Sequence, residues 1–436
     1  MGMRTTRRHA LKTGARSALA IAALPSALAS LAGCARTTAP LQVVALWSGA
    51  ELNAFRAVLA GFTRATGHRV DVISVGEQID PVVRARSRAH NPPDVAVVSR
   101  PSWVADYVEQ GWLTELDPRL GAGFPQVWRD LVTIGGRMYG VWIKAAHKSL
   151  FWYRPSVLAQ PAPAVWSDLV ALIRRMAAAG QPPLALGAAD GWVLTDWFDN
   201  VLLSIAGGPM YEALARGEGD WSSVPVRQAL THLADVWATP GAFPGGPQRA
   251  LLTQFAESVL DVFVTQRAGM VFEGDFVAAV FESARQAGRV QEPAQSFPFP
   301  AISSDPPLVV GGDVAVLMKD SPAGRELMAW LAQPHATLPW IDRGGFLSPN
   351  QDVPISAYPP GRTQELIGQL RAAEGQLHFD LSDRLRGVFT GGDGLGIWLL
   401  LQDFFAEVTR AGADIPAVVD WTARRLAEAA QRSRLA

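Results

Sequence analysis

The chain holds one cysteine, Cys34, among 436 residues. No internal disulfide, cysteine zinc site or redox pair can therefore form. Lysine is nearly absent, occurring only at Lys12, Lys144, Lys148 and Lys319. Five dispersed tyrosines do not suggest the phenolate cluster that a ferric-iron site would want. The seven histidines (His9, His68, His90, His147, His232, His335, His378) have no metal-ligand spacing. There is also no HExxH helix, GxSxG elbow or Walker loop. Gly391-Gly392-Asp393-Gly394-Leu395-Gly396 has the glycine content of a dinucleotide loop. It follows no strand and reads as a turn. Beyond the N-terminal region no apolar run approaches the roughly 20 residues of a membrane-spanning helix. The run at 397–401 is short, and Asp403 follows it. No metal or cofactor is expected.

What is present begins with a positive segment. Arg4, Arg7, Arg8, Lys12 and Arg16 precede an apolar run over 18–31, and Leu31-Ala32-Gly33-Cys34 follows. A charged start, a short apolar middle and a small-residue end read as a secretory signal. Leu31 to Cys34 resembles a bacterial lipobox, in which the cysteine takes a lipid and becomes the mature N-terminus. Thr6-Arg7-Arg8-His9-Ala10-Leu11-Lys12 resembles a twin-arginine export motif with Ala10 in place of its usual Phe. Residues 1–33 are thus expected to be removed and 34–40 to form a lipid-anchored tether. Removal takes away five positive charges and moves the formal net charge from -1 to -6. A mildly acidic mature protein without charge blocks argues against nucleic acid or an anionic membrane surface as partner.

The remaining length and 49% hydrophobic content are enough for two cored domains. Residues 41–47 read as a buried strand, 51–66 as a helix stopped by Gly67, 69–75 as a second strand and 94–98 as a third. Strand, helix, strand, helix, strand at this spacing implies a parallel sheet covered by helices. From Trp166 the pattern turns helix-rich. A strand pair is expected over 309–319, and mostly helix after 366. No long linker separates these parts, so two lobes joined by several crossings explain the order better than domains in series.

Several segments, in this order, resemble the carbohydrate-binding proteins of ABC importers (the family-1 extracellular solute-binding group, which includes maltodextrin- and α-glucoside-binding proteins). They are Trp47-Ser48-Gly49, Pro93-Asp94-Val95-Ala96-Val97 with Gly111-Trp112-Leu113, and Gly136-Arg137-Met138-Tyr139-Gly140-Val141 with Ser149-Leu150-Phe151-Trp152-Tyr153. Gly191-Trp192 through Asp196-Trp197, Gly269-Met270 to Phe276, Gly311-Gly312-Asp313 and Gly345-Phe346-Leu347-Ser348-Pro349 complete the series. The resemblance implies an α/β, two-lobed periplasmic-binding-protein fold with discontinuous lobes joined by hinge crossovers. On that pattern lobe 1 takes 41–147, lobe 2 takes 148–302, the chain returns to lobe 1 and the hinge over 303–350, and lobe 2 resumes over 351–436. It implies no enzyme activity, an exported lipoprotein at the outer face of the cytoplasmic membrane or in the periplasm, a monomer, and ABC permease subunits as partners. His147-Lys148 departs from the family pattern, where an acid or small residue is common.

A pyranose has an apolar face for aromatic rings and a rim of hydroxyls for carboxylates and guanidinium groups. Fifteen tryptophans, several beside turns, suit such a ligand. In doubly wound lobes ligands gather at strand C-termini, where Trp47, Ser99 and Arg100 fall. The candidate ligand-binding residues are Trp47, Glu51, Ser99, Arg100, Trp192, Asp196, Glu273, Asp275, Phe276, Asp313, Phe346 and Trp398, favouring a di- or oligosaccharide. A phosphorylated ligand held by Arg100, Lys144 and Lys148 is the alternative, with Lys148 read first as a hinge salt-bridge partner. A glycoside hydrolase with paired carboxylates is a third reading.

Overall fold

The computed structural model describes residues 39–435 apart from 159–160, 304, 374–375 and 391–395. The signal segment, Cys34, most of the tether and the Gly391–Asp393 turn lie outside the described residues. The chain opens with β1 (Leu41–Ala45), the helix Gly49–Thr66, β2 (Val70–Ser74) and β3 (Val95–Val98). The helix presents Leu52, Phe55, Val58, Leu59 and Phe62 on one buried stripe. It ends where Gly67 adopts φ 79° and donates its N–H to the Thr63 carbonyl. β1 pairs parallel with β2 and β3, as the βαβ spacing requires.

A hairpin of β4 (Thr133–Ile134) and β5 (Arg137–Met138) leads into β6 (Gly140–His147). Beyond it, β7 (Leu150–Tyr153), β8 (Leu184–Ala185), β9 (Met270–Glu273) and β10 (Gln295–Pro298) form a second sheet in the order β10-β7-β9-β8. β11 (Val309–Leu317) then returns to the first sheet, which runs β12-β11-β3-β1-β2 with β6 also on β11. β12 (His378–Phe379) pairs parallel with β11 at Val309 and Val310. The segment expected as a strand pair over 309–319 is one nine-residue strand.

The final transfer between lobes falls at Asp380. Residues 351–436 were expected to lie wholly in lobe 2, yet β12 pairs with β11 of the first sheet and its Phe379 packs into the core there. The second core resumes with Leu381, Leu385 and Ile397. Phe379 is the physical reason, since its ring packs on Trp128 at 4.6 Å and Trp142 at 5.3 Å.

Three chain crossings run side by side at residues 147–149, 305–309 and 379–381. Lys148 N–H donates to the Val309 carbonyl at 2.8 Å, and Asp380 N–H donates to the Val310 carbonyl at 2.7 Å. Val309 N–H donates to Ser149 Oγ at 2.9 Å. These bonds tie the crossings into one strap. Among the described residues no helix is long and apolar enough to cross a membrane.

Candidate functional site

The two sheets point loops at a shared cavity of about 600 Å³. That volume lies within the roughly 300–1,000 Å³ of small-molecule sites. A second hollow of about 640 Å³ lies outside on the helix Gly49–Thr66 and β2, among side chains that include the exposed Arg56 and Asp71. No buried charge converges on it, so the interlobe cavity is the candidate site.

The first-lobe wall is built from strand ends. Trp47, just past β1, is fixed edge-on against Phe55 at 4.8 Å and Trp340 at 4.7 Å. Its Nε1 donates to Asp313 Oδ2 at 3.0 Å. Asp313 lies opposite Lys144 in the β11–β6 register. Lys144 Nζ donates to Glu51 Oε1 at 2.5 Å, from the first turn of the Gly49–Thr66 helix. Gly312 permits this close approach, because a Cβ there would sit 2.5 Å from the Lys144 carbonyl. Burial pushes the Asp313 carboxyl up to about 7, against the pull of Lys144.

The second-lobe wall is aromatic. Trp192, Phe255 and Phe276 form an aromatic triad, with Phe276 edge-to-face on Trp192 at 5.8 Å and on Phe255 at 5.2 Å, and Trp192 tilted against Phe255 at 5.5 Å. Asp190 orients it by accepting the Phe255 N–H at 2.7 Å. Trp398 begins the helix Ile397–Val408 and packs on Gly191, where a Cβ would come within 2.7 Å of the Trp398 Cβ. The Arg100 guanidinium lies 4.0 Å from the centre of the Trp398 ring and 4.8 Å from that of Trp103.

Beneath both walls sits the hinge charge cluster. Lys148 Nζ lies 3.2 Å from Asp196 Oδ1, 2.5 Å from Asp380 Oδ2 and 3.6 Å from Asp383 Oδ2. Burial alone would lower the Lys148 pKa, but Asp196, Asp380 and Asp383 outweigh it and hold the ammonium charged. Asp380 is likewise held below the usual carboxylate range, Lys148 overcoming its burial. Burial and the Asp380 charge push Asp383 up to about 7, and Arg100 Nε faces it at 3.6 Å. The same strap carries His147, which burial holds neutral with a pKa of about 4.

Of the sequence-selected residues, Trp47, Glu51, Ser99, Arg100, Trp192, Phe276, Asp313 and Trp398 line the cavity. Four others are placed elsewhere. Asp196 is 1% exposed behind the wall as a Lys148 partner. Asp275 is turned inward to accept the His147 N–H at 2.8 Å. Glu273 is fully buried on β9, and neither carboxylate oxygen has a hydrogen-bond partner. Burial raises its pKa well above the usual range, which favours the neutral acid. Phe346 is core, 4.9 Å from Trp340. The cavity also includes Asp190, Phe255 and Asp383, which the sequence reading did not select. Asp190 directly precedes the Gly191-Trp192 signal and was within reach of it. Asp383 follows a two-residue strand with no periodicity to betray it.

Among the described residues no group of His, Cys, Asp and Glu is arranged to hold a metal ion. The inner cations of the cavity, Lys144, Lys148 and Arg100, each face a carboxylate, and Arg289 lies at its exposed rim.

Comparison with known proteins places this geometry. Residues 47–337 match the family described as bacterial extracellular solute-binding protein. The osmoprotective compounds-binding protein GgtB of Synechocystis sp. is 29% identical over 363 residues, covering 79% of this chain and 84% of that one. The alpha-glucosides-binding periplasmic protein AglE of Rhizobium meliloti is 27% identical over 406 residues, covering 87% and 86%. Among solved structures, the bacterial solute receptor AcbH, which has an exclusive preference for β-D-galactopyranose, superposes with a TM-score of 0.76. Identity to it is 19%, and the match covers 90% of this chain and 98% of that one. A chitin oligosaccharide binding protein gives a TM-score of 0.73 at 17% identity, covering 90% and 99%. The fold is accordingly the two-lobed architecture of solute receptors.

Proposed function

The chain belongs to the bacterial extracellular solute-binding proteins, a family of receptors and not of enzymes, and from that premise we propose that it captures a neutral carbohydrate for an ABC importer. The observation that carries this reading is the pairing of unlike walls around one cavity. Trp192 and Phe276 offer ring faces for the C–H surface of a pyranose. Glu51, Lys144 and Asp313 offer acceptors and donors to its hydroxyls.

The charge pattern of the inner cavity supports a neutral ligand over a phosphorylated one, Arg289 lying out at the exposed rim. Lys144 is satisfied by Glu51, Lys148 by Asp196 and Asp380, and Arg100 faces Asp383. An incoming phosphate would meet those carboxylates, and Asp190, Asp275 and Glu273 nearby add no counter-charge. Hydroxyls can bond to both members of an existing ion pair without breaking it.

In this reading the lobes open on the crossing strap, admit the sugar and close on it. The closed form docks on permease subunits and releases the sugar unchanged. A lipid on Cys34 holds the mature chain at the membrane surface, and the protein acts as a monomer. The test is a thermal-shift screen of the mature protein against mono-, di- and oligosaccharides and glycerophosphodiesters. A sugar at 100 times its Kd should stabilise the fold by about 2.7 kcal/mol, visible as a raised midpoint. A response to phosphorylated compounds alone would overturn the neutral-ligand reading.

A further inference from the structure

Four cations line the cavity: Arg100, Lys144, Lys148 and Arg289. Three of them are buried and matched by acids. Lys144 is bonded to Glu51, Lys148 to Asp380, and Arg100 faces Asp383. Arg289 differs in both respects. It is exposed at the mouth, and among the described residues no carboxylate, hydrogen-bond acceptor or aromatic ring meets its guanidinium. Four residues earlier, Arg285 is taken by Glu282 at 2.7 Å.

The backbone, not a side-chain partner, puts Arg289 there. The helix Val277–Gln286 is followed by Gly288 at φ 68°. The Gly288 N–H donates to the Arg285 carbonyl at 2.9 Å, and the Arg289 N–H donates to the Ala284 carbonyl at 3.0 Å. This pair of bonds is a Schellman turn, which needs a residue free to take positive φ. Ser283, Ala284, Ala287 and Arg289 thereby share the second-lobe side of the mouth, and Val290 beside them packs against the core. The first lobe contributes exposed Ser48 and Ala50 to the same mouth.

A guanidinium offers donors and no acceptor, in a fork that matches a carboxylate. Deep in the cleft an acidic substituent would lose its water and meet the carboxyl groups of Glu51, Asp190, Asp313 and Asp383. At the mouth it keeps part of its hydration and meets a cation with no acid of its own. We infer that Arg289 is a mouth subsite for a carboxylate on the outer end of a saccharide, so that the receptor also captures sugar acids with their uncharged ring inward. The inference rests on the sugar-capture reading above and adds a second ligand class and the residue that admits it.

The test separates the charge from the rest of the sugar. Titration calorimetry compares maltobionate with maltitol, cellobionate with cellobiitol and lactobionate with lactitol. Each pair shares one intact ring and one open chain and differs in the terminal carboxylate. An exposed ion pair is a modest contact, so wild-type protein should bind at least one acid about threefold or more tightly than its alditol. That ratio should hold at about 20 mM salt and shrink at about 500 mM. Arg289→Gln should bring it close to one, and Arg289→Glu should invert it. Thermal midpoints without sugar identify any variant that fails to fold. A folded variant that keeps the wild-type ratio overturns the subsite alone. So does a wild-type ratio of one or less in every pair that binds. Silence with all of these compounds and with maltose, cellobiose and lactose contradicts the carbohydrate reading itself, and the inference with it.

Discussion

On the proposed reading, the two walls of the cleft solve different halves of one recognition problem. The first-lobe wall is polar, with Trp47 bonded to Asp313 at 3.0 Å and Lys144 to Glu51 at 2.5 Å. The second-lobe wall is apolar at its surface, a triad of Trp192, Phe255 and Phe276 beside Trp398. A rigid polar wall discriminates by hydroxyl position, since a misplaced hydroxyl leaves a buried partner unsatisfied. An aromatic wall gives affinity through burial and tolerates differences in rim chemistry. On this reading selectivity and strength fall to different lobes, and closure would bring them together.

The hinge underlies both walls, and breaking it carries the largest expected effect. Lys148→Met leaves Asp196, Asp380 and Asp383 without their shared cation in a buried site. A loss of about 3–5 kcal/mol in denaturant unfolding is expected, because removing one partner strands the other charges. If the midpoint barely moves, the cluster is not the structural centre of the crossings.

The aromatic wall comes next. Trp192→Ala should cost about 1.5–3 kcal/mol of binding through lost burial, roughly ten- to a hundredfold in Kd by titration calorimetry. The ranking of different sugars should stay the same. The polar wall should behave conversely, with Asp313→Asn compressing the differences between epimeric sugars more than it lowers the best affinity. If Trp192→Ala reorders the sugars and Asp313→Asn does not, the division between walls is wrong.

Asp313 also predicts a pH effect of known sign. Its folded pKa of about 7 lies above its ordinary value of 3.8. The folded protein therefore binds this proton more readily between about pH 4 and 7. Its contribution to stability is fully present below pH 3.8 and is lost as pH rises through 7. Asp313→Asn should flatten that slope in unfolding measurements at pH 5 and pH 8. The smallest effect belongs to the surface ion pairs of Arg386 with Asp106 and Glu109. Arg386→Ala removes contacts of a side chain 47% exposed, so stability should change by no more than about 1 kcal/mol.

The sequence made these features legible to unequal degrees. The opening β1, the helix through Phe55 and Phe62, and the Gly67 stop are local patterns, and local patterns survive without knowledge of the fold. The return at β12 could not be seen, because two residues carry no alternation and the contact that matters is Phe379 against Trp128 and Trp142. In the site, Trp47, Arg100 and Asp313 sit at strand ends or next to glycines, where composition points to a cleft. Asp196 misled for a physical reason. The helix Trp192–Ala215 is buried on every side from Val193 to Ser204, so its periodicity cannot separate a cavity wall from a core. Glu273 and Asp275 flank a glycine in sequence, yet one is fully buried and the other turns back to the hinge.

The most direct test of the central claim is titration of the mature protein with the best sugar from the screen, followed by recovery of that sugar. The account predicts saturable one-to-one binding, with the sugar recovered chemically unchanged and binding weakened at least tenfold by Trp192→Ala. Cleaved sugar, or wild-type and Trp192→Ala proteins of equal affinity, would contradict it.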